Sequence, residues 1–391
     1  MELTKEEKEM LDGKQGNAVK KSMEILSALG EIFGAKRLIP VTSVQISGVS
    51  YANLGDAGLE FLAEMAKDGR VRVKTTLNPA GIDTKNWRAL GIDEEFAEKQ
   101  RRVIEAFERM GVATTCTCTP YLVGNEPRFG EHIAWGESSA VTYANSVLGA
   151  KTNREGGPST IASALTGRTA EYGLHLEENR YAHFIADVDA SIEGVALFGA
   201  LGNVLGKIAK GRIPLIRGIR RASMEELKAL SASIVTYGGA PMFHIEGVTS
   251  NKTVIPSEKV TVTQKDIDKA VAEMNDAEDA DFIFIGCPHC SLEELRELAQ
   301  LLKGKKVKKE FWIGVARPIK ALADERSYSK VIEEAGVKFA CDTCHAVAPL
   351  KGRFRALATN SAKGVYYGRG SNGFRTIFRD LAECVALAVG E

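Results

Sequence analysis

Seven cysteines fall into three pairs and a singleton: Cys116 and Cys118 in TTCTCTP, Cys287 and Cys290 in FIFIGCPHCS, Cys341 and Cys344 in FACDTCH, and Cys384 in FRDLAECVALAV. Each pair follows an apolar or β-prone run, the pattern of a strand ending in a loop. Three separated loops can converge, and converging thiolates bind soft metals. Two Cys-x-x-Cys motifs resemble a four-thiolate zinc site. They lie about 50 residues apart with a helix and strands between them, unlike a compact zinc ribbon. CPHC also suits a thioredoxin-like redox pair, though that motif belongs near the start of a small βαβ domain. The third chemistry takes one thiolate from each loop to hold an iron–sulfur cluster with one iron open as a Lewis acid. Cys384 lies on an apolar helical stripe and reads as packed. Cys116, Cys290 and Cys344 have the same alternative open to them.

Composition bounds the class. A chain of 391 residues exceeds the usual single core and implies two or three lobes. Its 44% hydrophobic and 26% charged residues suit a globular protein, and the zero formal charge offers no bulk field for nucleic acid or an anionic membrane. MELTKEEKEMLDGKQGN lacks the apolar core of a secretory signal. No run approaches the roughly 20 apolar residues of a membrane span; VALFGALGNVLGKIA reads as a buried helix. These features predict a soluble cytoplasmic enzyme, whose thiols serve metal or catalysis instead of disulfides.

The elements that must position the cysteines follow an α/β pattern. Residues 4–33 read as one helix capped by Thr4, and RLIPVTSVQISGVS as a strand running into a loop. AGLEFLAEMAKDG is a short helix, VRVKTTLNPAG a strand ending in a turn, DEEFAEKQRRVIEAFERMG a strongly periodic helix and VATTCTCTP a strand. The middle is rich in small residues. From about 262 the order is helix, the buried strand ADFIFIGCPHC, a helix capped by Ser291 with Glu294, then the strands KKEFWIGVA and VKFACDTC. Lobes are placed at 1–150, 151–260 and 261–391. Loops at the carboxyl ends of such strands carry active sites.

Seven segments, ISGVSY at 46–51, TLNPAG at 76–81, CTCTPYL at 116–122, WGESSAVTYANSVLGAKTNREGGPS at 135–159, GCPHCS at 286–291, CDTC at 341–344 and TNSAKGVYY at 359–367, together resemble aconitase X in order along essentially the whole chain. The resemblance implies a multi-lobed, aconitase-like α/β catalytic core with strands ending in ligand-bearing loops and without the swivelling domain. It implies a hydro-lyase that dehydrates (R)-5-phosphomevalonate to trans-anhydromevalonate 5-phosphate in the mevalonate route to isoprenoids. Hydroxyproline dehydration is the alternative within the family. It further implies a 4Fe-4S cluster on Cys118, Cys287 and Cys341, and a small partner subunit carrying the swivelling domain, in a heterodimer or larger assembly. Gly48, Val49, Ser50, Asn78, Pro79, Glu137, Ser138 and Lys363 match substrate-binding positions, Glu137 and Ser138 also being catalytic candidates.

Several of these residues have a physical reading of their own. Gly48-Val49-Ser50 ends a strand, with N–H groups and a hydroxyl for an anion, or is a plain tight turn. Asn78-Pro79 stops a strand and aims an amide at the same rim, or makes an Asx-turn. Glu137-Ser138 follows Trp135-Gly136 and offers a carboxylate for ligand or proton, or a solvated helix start. Lys363 among small residues offers a point charge, or is a surface lysine. Lys74, Arg128, Lys151 and Arg154 are further cations near the loops.

Overall fold

Each lobe is organised by a parallel sheet whose strand ends supply the loops of interest. The computed structural model describes residues 1–391. In the first lobe β1 (Leu38–Pro40) and β5 (Arg168–Ala170) pair antiparallel, while β2 (Ser43–Ile46), β3 (Lys74–Leu77) and β4 (Ala134–Trp135) form a parallel sheet in the order β3-β2-β4. The second lobe orders its parallel strands β8-β7-β6-β9, from β6 (Phe184–Asp189), β7 (Pro214–Arg217), β8 (His244–Ile245) and β9 (Lys259–Thr263). The third has β10 (Phe282–Cys290), β11 (Glu310–Val315), β12 (Lys338–Cys341), β13 (Ala356–Thr359) and β14 (Arg375–Phe378), all parallel, in the order β12-β11-β10-β13-β14. The α/β architecture matches the reading of the sequence. No helix is long and apolar enough to cross a membrane.

Pairing shifts the lobe limits. Because β5 returns to β1, the first lobe continues beyond residue 150. Because β9 pairs with β6, the second continues beyond 260. The first helix is also two helices, Lys5–Leu11 and Asn17–Ile32, separated where Gly13 and Gly16 take positive φ. Thr4 does cap it, in a reciprocal box with Glu7. RLIPVTSVQ divides between two sheets, and VATTCTCTP forms no strand. Only Ala113 bridges to Thr76, after which Cys116 takes φ 43° and the segment runs as an irregular loop.

The continuous apolar run of β10 is buried along its whole length, as in a parallel strand covered on both faces. At its end Gly286 has φ 104°, and a side chain there would strike the carbonyl of Gly314 on β11. The register between β10 and β11 shifts at this point, so the strand leaves the ladder and presents Cys287. In the second lobe the helices Gly194–Ala209 and Met224–Gly238 cross where Gly206 meets Gly238 backbone to backbone. One apolar cluster joins Ile82, Trp87 and Leu90 of the first lobe to Phe282, Trp312 and Leu357 of the third, fixing the two sets of strand ends against each other.

Candidate active site

A cavity of about 480 Å³ opens between the strand ends of the first and third lobes. Its wall takes Ser47 from the end of β2, Asn78 and Pro79 from the end of β3, and Gly136, Glu137 and Ser138 from the end of β4. The third lobe adds Gly286, Cys287 and Pro288 from β10, Cys344 after β12, and Lys363 and Tyr367 from the helix Ala362–Asn372 after β13. A larger cleft of about 560 Å³ lies against the helix Glu94–Arg109, and holds the Arg317–Asp342 ion pair but no thiol. The thiols and the Lys363–Glu137 pair therefore lie in the smaller cavity.

Cys118, Cys287 and Cys344 all line this cavity. Cys341, expected as the third thiol, does not. Side chains alternate along β12, so Cys341 packs with Phe339 in the core beneath the outer helices while Ala340 faces the other way. Its N–H donates to Asp83 Oδ2 at 3.0 Å. The chain then turns through Asp342 at φ 64°, and this turn carries Cys344 back to the cavity. Cys116 and Cys290 are likewise packed in core clusters, and Cys384 is fully buried in the helix Leu381–Val389.

Each cavity thiol has donors that favour its anion. The His289 N–H points at Cys118 Sγ at 3.2 Å. The Ser361 hydroxyl, which donates to the Cys287 carbonyl, also lies beside that residue's sulfur; the Ala346 and Val347 N–H groups lie beside the sulfur of Cys344, Val347 donating to the Cys344 carbonyl at 3.1 Å. Burial pushes all three thiols up, Cys344 to about 12, while the Lys363 ammonium draws each back. A bound metal centre would complete that withdrawal of the protons. Burial and the nearby Asp83 raise Cys341 to about 12, against the pull of Arg317. The three thiols line one cavity, and no three Cys, His, Asp or Glu side chains are placed to cage a single ion. The cavity thiols and their donors thus fit an iron–sulfur cluster.

His289 fixes the three thiol loops together. Its Nδ1 lies 2.9 Å from Thr117 Oγ1 and its Nε2 2.9 Å from the Thr343 carbonyl, so the ring joins the loops of Cys118 and Cys344 from within CPHC. Burial lowers this imidazole to about 4 and keeps it neutral. Ser50 adds a second clasp by donating to the Val347 carbonyl at 3.0 Å. Gly48, Val49 and Ser50 shape this turn, and the side chains that line the cavity beside them are Ser47 and Asn53.

In the same cavity, Lys363 Nζ donates to Glu137 Oε1 at 2.5 Å and to Ser139 Oγ at 3.1 Å. Glu137 caps the helix Ser138–Tyr143, accepting from the Ala140 N–H and the Ser139 hydroxyl. Burial pushes its carboxyl up, but Lys363 and these donors outweigh that and hold it below the usual range. For Lys363 burial is outweighed in turn by Glu137, so its pKa is raised and the pair stays charged. An ammonium has three protons. Two are used here, which leaves one for the cavity. Asn78 Oδ1 is buried without a partner on the same wall.

Of the residues expected from sequence, Asn78, Pro79, Glu137, Ser138, Lys363, Cys118 and Cys287 meet here. Cys344, His289, Ser47 and Arg154 complete the arrangement. The second cysteine of CDTC and the histidine inside CPHC were visible in the sequence, but nothing there showed which way they face.

The fold and site define a three-lobed α/β protein with a thiol-lined cavity at opposed strand ends. Family models for the aconitase X first, second and third domains match residues 1–178, 182–272 and 280–390. The chain belongs to the aconitase X family. It is 47% identical to the phosphomevalonate dehydratase large subunit of Methanocaldococcus jannaschii, over 98% of this chain and 99% of that one. It is 37% identical to the cis-3-hydroxy-L-proline dehydratase of Hypocrea jecorina, over 99% of this chain and 68% of that protein. The crystal structure of Thermococcus kodakaraensis aconitase X in its holo-form superposes with a TM-score of 0.93 at 45% identity, covering 99% of this chain and all of that one.

Proposed function

We propose that this chain is the large subunit of a cytoplasmic hydro-lyase that dehydrates (R)-5-phosphomevalonate to trans-anhydromevalonate 5-phosphate. The observation that carries the reading is the meeting of three donor-supported thiols and a buried Lys–Glu pair in one cavity. Support for the substrate comes from relatives at 42–47% identity named as phosphomevalonate dehydratase large subunits.

Cys118, Cys287 and Cys344 would hold a 4Fe-4S cluster, which when bound supplies Lewis-acid polarisation of a substrate hydroxyl. The remaining N–H of Lys363 anchors the substrate carboxylate, and Glu137 holds that ammonium in place. Ser138 and Asn78 orient the carbon chain from the first lobe. With its carboxyl stabilised as the anion, Glu137 serves positioning better than proton abstraction. The base that takes the C2 proton then comes from the swivelling domain of a small partner subunit.

The test is anaerobic purification of the chain with its small subunit, assay of iron and acid-labile sulfide, and a substrate screen by proton NMR. Iron and sulfide in near-equal amounts with phosphomevalonate turnover support the reading. Zinc without sulfide, or turnover of hydroxyproline alone, overturns it.

A further inference from the structure

Resting on the function proposed above, we infer that Arg154 is the residue that recognises the phosphate of the substrate and selects phosphorylated over unphosphorylated hydroxy acids. Four cations stood near the loops in the sequence, and the fold separates them. Lys74 Nζ donates to the Gly124 carbonyl, Lys151 is paired with Glu177 at 2.9 Å, and the Arg128 side chain is not part of the cavity wall. Arg154 alone of the four lines the cavity. Its guanidinium is exposed and has neither a carboxylate nor a carbonyl partner.

The backbone on either side of Arg154 is fixed. Thr152 N–H donates to Asn145 Oδ1 at 3.1 Å, and Glu155 N–H to the Trp135 carbonyl at 3.0 Å. The Glu155 carbonyl also packs against Gly136, where an added Cβ would meet it at 3.1 Å. Arg154 is thereby held beside Glu137 while its side chain remains available.

The two cations of the cavity differ by depth. Lys363 is buried and neutralised by Glu137. Arg154 lies at the mouth with the exposed Asn53 and Ser371. A strongly hydrated phosphate dianion loses least by binding where water still reaches it, and a planar guanidinium grips it with two parallel hydrogen bonds. A substrate with a carboxylate at one end and a phosphate at the other therefore enters carboxylate first.

The test compares wild type, R154Q and R154K as the complete anaerobic enzyme with its small subunit. Visible spectra establish that the cofactor is retained. For R154Q, KM for (R)-5-phosphomevalonate rises about 10- to 100-fold, as for loss of a hydrogen-bonded charge, while kcat changes little. Inhibition by inorganic phosphate disappears, calorimetric affinity for phosphomevalonate falls in parallel, and unphosphorylated mevalonate binds both proteins equally weakly. R154K restores part of the loss. An unchanged KM in R154Q, or an equal loss for the phosphorylated and unphosphorylated acids, overturns the assignment. A wild type that binds phosphomevalonate through Arg154 without dehydrating it keeps the site and rejects the reaction.

Discussion

Each cysteine pair sends one sulfur to the cavity and its sibling into the packed interior, and the two sets live in different electrostatic surroundings. Cys118, Cys287 and Cys344 have N–H or O–H donors and share the Lys363 ammonium. Cys116, Cys290 and Cys341 have carboxylates as their strongest charged neighbours, namely Asp342, Glu294 and Asp83, as Cys118 has Glu137, but no hydrogen-bond donor offsets them. A buried Lys–Glu pair accompanies each set. Lys363–Glu137 faces the cavity, whereas Lys228–Glu294 lies behind Cys290, with Lys228 also donating to the His289 carbonyl at 3.0 Å. Glu294 meanwhile closes a capping box with Ser291. Identical residue types thus face a cavity on one side and form a staple on the other. The difference is whether a donor remains unspent and faces open space.

The sharpest way to break the comparison is to exchange one sibling at a time. Cys344→Ser should abolish the visible absorbance of the anaerobically reconstituted protein, and Cys341→Ser should retain it. The reverse pattern would put the third ligand on the wrong side of β12. Next in size, Lys228→Met strands a buried carboxylate and should destabilise by about 3–5 kcal/mol, read as a lower denaturation midpoint. An unchanged midpoint would deny the staple.

Lys363→Met is smaller in stability and larger in function. Glu137 keeps the Ser139 and Ala140 donors, so the loss is about 1–3 kcal/mol, while kcat/KM falls about 100-fold through the missing anion contact. Equal behaviour of the two lysine variants would erase the distinction between them. A pH-dependent effect lies outside both sets. Burial lowers His175 from the ordinary 6.5 to about 3, with its Nδ1 3.0 Å from that of His132. The unfolded chain takes up the proton first, so stability is full above about pH 6.5 and declines as pH falls towards 3. His175→Gln should flatten that decline in thermal melts between pH 7 and pH 4, and an unaltered slope would count against it.

Local signals were legible where local physics decides. The Thr4 and Ser291 caps, the helix Glu94–Arg109 and the buried strand β10 follow from capping chemistry and periodicity. The break near Gly13 and Gly16 was written in DGKQGN, yet apolar spacing on both sides concealed it. Sulfur direction was not legible. The positive φ of Cys116 separates its sulfur from that of Cys118, and that of Asp342 swings Cys344 into view. Arg154 carries no pattern at all. Its role depends on which other cations find partners, a property of the whole fold.

Cys118 belongs to the first lobe and Cys287 and Cys344 to the third, with the whole second lobe between them in sequence. Any group shared by these sulfurs can be installed only after the two outer lobes have docked. Loading would therefore wait on tertiary structure. A nascent chain arrested before the last sulfur emerges would hold two anchors and nothing able to close the ring.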